Sequence, residues 1–270
     1  MTNTSMVLAF KAVINDKSIR NRAKACLGEN SGAFISSMLD LYSGDQYLQK
    51  CDPHAVAMEC LKAASLHLPI VKGLGFAYVV PYKNVPQFII GWKGLVQLAQ
   101  RTGQYACINA DAVYEGEDVR RNRLTGQIEI TGSPTEEKAI GYFAYFRLVN
   151  GFEKMLYMTR KEVDDYAKRY SKAYSTGPWK TEFDAMAKKT LLRQLLKYGP
   201  MSTEMQKAEE YETMAAQSQA QAEVDANANR QALDLPETPY VEVDESTGEV
   251  IGEVPEPAPG GEPEDDNPGF

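Results

Sequence analysis

Apolar residues recur every three to four positions through residues 7–27 and again through 33–41, which is the period of an amphipathic helix. Asp52-Pro53 then opens a further helix over 53–66, with Asp52 as N-cap and Pro53 at the first helical position. Val56, Cys60, Ala63 and Ala64 share one face of it. Beyond it the period changes. "GFAYVVPYKNVPQFIIGW" is rich in β-branched and aromatic residues and predicts two strands with a turn from Tyr82 to Val85. A short helix over 92–102 ends at Gly103. A hairpin follows around Leu124 to Gly126, between "DAVYEGEDVRRN" and "GQIEITG". "AIGYFAYFRLVNGFEKMLYMT" predicts a second, with Asn150-Gly151 supplying the positive φ angles of a two-residue turn. Thr159 with Glu162 makes a capping box for a helix to about Tyr174. After the loop "STGPW", residues 182–198 read as an amphipathic helix stopped by Gly199-Pro200. Residues 204–232 favour helix but carry almost no apolar face, and Pro with acidic residues dominates from there to the end. The pattern predicts an α+β fold: a small antiparallel sheet with hairpins packed by helices, followed by a flexible acidic C-terminal tail. Its parts are a body over residues 1–200, a polar helical extension over 201–232 and the tail over 233–270.

Charge sharpens that division. The net charge is −8, but residues 218–270 hold fourteen Asp and Glu against the single base Arg230. That stretch is −13, which leaves +5 for residues 1–217. A mildly basic body therefore carries a strongly acidic tail, and each part selects its own partners. Four cysteines without CxxC spacing read as reduced thiols, and no apolar run reaches the roughly 18 residues of a membrane span. The expected location is the cytoplasm. With only two histidines, no His/Cys metal cluster is visible.

Enzymatic motifs are absent. "KGLGFAY" and "GWKGL" lack the GK[ST] of a phosphate-binding loop, which disfavours an ATPase, and their glycines fit steric relief beside a strand. What recurs is cationic spacing. Lys93, Gln97 and Arg101 fall at i, i+4 and i+8 of the short helix, and Lys189, Arg193 and Lys197 repeat the spacing on the helix over 182–198. Lys188 lies beside the second ridge, and Lys83, Lys172 and Lys180 could extend a track. Such ridges are either solvated faces or a groove for a polyanion, whose phosphates need charge spaced along a line. Trp92 and Trp179 each adjoin a lysine and could stack on bases, although a tryptophan after Gly-Pro, as at Trp179, also fits the core. Asp111, Glu115, Glu117 and Asp118 form the one dense acidic cluster of the body, which reads as a solvated turn or as the metal site of a nuclease.

Several spaced blocks then occur in order: "GLGFAYVVPYKN", "FIIGWKGLVQLAQRTG", "VYEGED" and "SKAYSTGPWKTEFDAMAKKTLLRQLLKYGPMS". Over residues 33–204 the chain resembles the RecT/Redβ family of phage-type single-strand annealing proteins, on its RecT branch. Where relatives commonly carry Tyr in a GYKG block, this chain has Trp92, which keeps an aromatic ring. The resemblance implies a non-enzymatic protein that binds single-stranded DNA without ATP. It also implies assembly into rings or helical filaments, annealing of complementary strands during recombination, and action beside an exonuclease and a single-strand binding protein. No cofactor is implied, and magnesium would act through the DNA. On this reading residues 1–200 bind DNA and oligomerise, with the N-terminal helices as subunit contacts. The alternative is a non-enzymatic assembly protein that offers the same basic groove to an acidic protein partner.

Overall fold

Asp16 divides the first helical stretch in two. Its side chain accepts the Ser18 N–H at 2.8 Å, ending α1 (Asn3–Asn15) and starting α2 (Lys17–Leu27). α3 (Ser31–Ser43) and α4 (Pro53–Ser65) complete an N-terminal helical layer, in which Phe10 stacks on Tyr42 with ring centroids 4.1 Å apart. Asp52 caps α4 by accepting the Ala55 N–H at 2.7 Å, and Val56, Cys60, Ala63 and Ala64 on its inner face are fully buried. The computed structural model describes residues 3–171, 174–175 and 177–228, and a compact unit closes at Glu223.

Among the described residues the strands form three small antiparallel sheets. β1 (Ala77–Tyr82) and β2 (Val85–Ile90) pair around Lys83 and Asn84, whose φ angles of 47° and 63° make the two-residue turn. β3 (Tyr105–Tyr114), β6 (Ala139–Leu148) and β7 (Glu153–Thr159) make the main sheet, with β6 at its centre. β4 (Glu117–Arg121) and β5 (Ile128–Gly132) stand apart as a hairpin.

The remaining helices close this core. α5 (Trp92–Arg101) follows β2 directly, and α6 (Arg160–Tyr170) begins at the Thr159–Glu162 capping box. A single turn, α7 (Pro178–Thr181), leads into α8 (Phe183–Leu196). α8 buries Ala187, Leu191 and Leu195 completely and packs on the main sheet and α5. α9 (Thr203–Ala228) is the polar segment of the sequence, yet Met205 and Ala208 are buried and its first half lies on α8.

Candidate nucleic-acid interface

Three glycines position the first half of the site. A Cβ on Gly91 would lie 2.1 Å from the Gly75 carbonyl oxygen, and one on Gly94 would lie 2.3 Å from that of Phe76. Only glycine allows the segment before β1 to lie backbone to backbone against the start of α5, where the Gly91 N–H donates to the Phe76 carbonyl at 2.8 Å. This contact holds Trp92 at the first turn of α5, half-buried, with Lys93 on the surface beside it.

Lys93 Nζ lies 5.8 Å from the Trp92 ring centroid and Lys188 Nζ lies 5.5 Å from it, so one indole gathers cations from two helices. Lys188 also pairs with Asp111 at 2.8 Å. Burial alone would raise the Asp111 carboxyl, but the Lys188 ammonium and a backbone N–H hold it below its ordinary range. Beside Trp92 opens a mainly apolar cavity of about 380 Å³, lined among others by Tyr78, Val80, Ile89, Met186 and Lys189. The result is an aromatic and aliphatic cleft with ammonium groups at its margins.

The second ridge has a different fate. Lys189 is only 7% exposed, and its ammonium bonds both carboxylate oxygens of Glu212 at 2.9 Å. Arg193 donates through Nε and Nη2 to the two oxygens of Glu209, each at 2.8 Å, and Lys197 stands 3.8 Å from the same carboxylate. The Arg193 hydrogen bond draws the Glu209 carboxyl below its ordinary value and raises the guanidinium. Glu212 also accepts the backbone N–H of Ile90 at 2.9 Å, on an edge of β2 where Glu59 accepts the Phe88 N–H at 2.7 Å. The acidic side of α9 covers the ridge at Lys189 and Arg193, while Lys197 stays exposed at its end.

The other predicted residues scatter. Lys83 is exposed at the tip of the β1–β2 turn, and Lys180 is exposed near Arg160 and Asp184. Gln97 is half-buried, with a carbonyl oxygen that is enclosed and unpartnered among the described residues. Arg101 donates to the carbonyls of Leu66 and His67 at 2.7 and 2.8 Å, capping the end of α4. The i, i+4, i+8 spacing of α5 is therefore not one cationic wall, because its last member is spent on a helix end. Trp179 is 6% exposed and meets Phe183 edge-on at 5.5 Å, so its ring belongs to the core and not to a base platform. Lys172 lies outside the described residues.

The acidic cluster of the body does not converge. Asp111 is held by Lys188, Glu115 by Lys138 at 2.8 Å, and Asp118 by Arg120 at 3.6 Å. Glu117 accepts the Tyr114 N–H at 2.7 Å. Among the described residues no three His, Cys, Asp or Glu side chains come close enough to hold a metal ion, and no described helix is long and apolar enough to cross a membrane. Sequence reasoning missed Glu209, Glu212 and the Ile90 N–H. The signal for the two acids was present, since Glu209 and Glu212 lie one helical turn apart on a segment with few apolar residues.

The RecT family model matches residues 32–227, most of the chain. The protein belongs to the RecT family. Over 208 residues it is 46% identical to the Uncharacterized protein YqaK of Bacillus subtilis (strain 168), covering 76% of this chain and 72% of that protein. Over 172 residues it is 34% identical to Protein RecT of Escherichia coli (strain K12), covering 60% of this chain and 63% of that protein. RecT-family proteins anneal single-stranded DNA and are not enzymes, and membership supports a role of this kind in recombination. The matched span contains every residue of the cleft around Trp92 and of the ridge beneath α9.

Proposed function

We propose that this RecT-family protein binds single-stranded DNA through its phosphate backbone, oligomerises on it, and promotes pairing of complementary strands without a nucleotide cofactor. The observation that carries the reading is Trp92 between Lys93 and Lys188 at the mouth of an aliphatic cleft. Ammonium groups neutralise phosphates irrespective of sequence, and an indole offers a face to any base. Lys83, at the tip of the neighbouring hairpin, extends the cationic margin. A backbone grip leaves base edges free to test a second strand. Pairing then supplies about 1.4 kcal/mol per stacked step, so hydrolysis is not required.

A site of this size holds few nucleotides, so assembly of several copies into a ring or helical filament gives the strand a continuous track. An exonuclease that exposes the strand and a single-strand binding protein that guards it are the partners this activity calls for. The test is annealing of a complementary against a non-complementary oligonucleotide in buffer free of ATP. Selective, nucleotide-independent pairing is expected, whereas a requirement for ATP hydrolysis would end the proposal. Replacing Lys93 and Lys188 with Ala should flatten the plot of log affinity against log salt, by about 0.7 for each phosphate left unneutralised.

A further inference from the structure

We infer that α9 is a displaceable acidic strap, in which Glu209 and Glu212 occupy the phosphate positions of a second anion site formed by Lys189, Arg193, Lys197 and the Ile90 N–H. A single-stranded DNA backbone competes with them for that site. The inference rests on the single-strand-binding reading above and adds a regulatory step to it.

Glu212 is held by a buried ammonium and a backbone N–H, and Glu209 by a two-pronged guanidinium contact. Point-charge ammonium, planar fork and strand-edge N–H are the groups that bind phosphodiester oxygens, and they do not distinguish phosphate from carboxylate by charge. Stripping Glu212 from Lys189 with nothing in its place would leave a buried charge unpaired. Exchanging the carboxylate for a phosphate keeps every donor satisfied. The site therefore favours replacement over simple opening.

The hold on α9 is largely polar. Met205 and Ala208 are its buried apolar residues among those described, and Tyr211 adds an edge-on contact with Phe88 and a hydroxyl contact with Ser65 at 3.1 Å. Met214, three residues further on, is 55% exposed. A helix fastened mainly by ion pairs lies at the low end of local stability and weakens with salt. Its position matters as well. Lys189 lines the cleft beside Trp92 as well as binding Glu212, so the covered ridge continues the open site. A strand gripped at Trp92 reaches the strap at its next contacts.

The experiment uses the full-length protein and a thymidine oligonucleotide, with hydrogen exchange followed in α9 and affinity measured at low salt. Exchange over residues 205–218 should rise when the oligonucleotide binds. Replacing Glu209 and Glu212 together with Gln should tighten binding about three- to tenfold, because a closed strap lowers apparent affinity by the open fraction. Glu210→Gln, which removes one carboxylate from an exposed position of the same helix, should leave affinity nearly unchanged. Oligonucleotide binding with α9 protection unchanged or increased overturns the strap while leaving the annealing reading intact. A gain per charge removed that is as large in Glu210→Gln as in the double variant does the same, by reducing the effect to net charge. If the parent and every variant fail to bind the oligonucleotide, the annealing reading falls and takes the strap with it. Should the double variant misfold, exchange in the parent protein alone still decides.

Discussion

Trp92 and Trp179 stand in opposite environments, one half-buried between two lysines and the other packed against Phe183, so their emission separates interface from core. Oligonucleotide binding should quench the parent protein and the Trp179→Phe variant, and leave Trp92→Phe without a response. Quenching that survives in Trp92→Phe would place the strand elsewhere. Arg101 supplies a second contrast. Its spacing alone marks it as a phosphate ligand, yet its guanidinium bonds two carbonyls at the end of α4. Arg101→Ala should therefore cost about 1–3 kcal/mol of unfolding free energy and leave the salt slope of DNA binding unchanged. Gly91 is equally constrained. A methyl group there meets the Gly75 carbonyl oxygen at 2.1 Å, so Gly91→Ala should displace α5 and weaken DNA binding even though no contact residue is altered.

At the scale of elements, α8 carries two opposite loads. Leu191 is fully buried on its sheet side, and Leu191→Ala should remove roughly 2–5 kcal/mol of stability in a denaturant titration. Its other side holds α9 through charge, which makes that contact sensitive to pH. Arg193 lowers the Glu209 carboxyl, with Lys197 and Lys189 acting in the same sense against the cost of burial, and the Glu212 carboxylate shares the ridge. A group whose pKa is lower folded than unfolded adds stability above its unfolded value, ordinarily 4.5 here, and loses it as pH falls through the folded one. Parent protein should thus melt above Glu209→Gln at pH 7, with the gap closing below pH 4.5. A gap that does not narrow at all as pH falls below 4.5 would mean that packing, and not the charge of Glu209, fastens the strap.

For the whole molecule, the charge division yields a further expectation, although residues 229–270 lie outside the described ones. They contribute −11, and a chain ending at Ala228 keeps α9 complete. That shorter protein should bind oligonucleotide more tightly at low salt and equally at high salt, since a tethered polyanion competes only while charges are unscreened. Weaker binding would assign the tail to DNA contact or to assembly. Which features were legible in advance follows from the range of the forces involved. Caps at Asp52 and Thr159 and the turn at Lys83-Asn84 are set by neighbours a few residues apart, so the bare chain displays them. At Asn150-Gly151, by contrast, only Gly151 takes a positive φ, of 88°, and the loop closes between Leu148 and Phe152 in place of a two-residue turn. The ordered family blocks likewise lie in the chain itself. The destiny of a cation does not. Lys93 and Arg101 share a helix and a spacing, but one stays beside Trp92 while the other caps a helix more than thirty residues earlier in the chain. Lys189 and Arg193 find partners 23 and 16 residues away, on a helix whose few apolar residues give no hint of docking. Local geometry fixes which residues share a face, whereas burial and pairing of a charge depend on what tertiary packing brings against that face, because desolvation and Coulomb energy act across space irrespective of chain order.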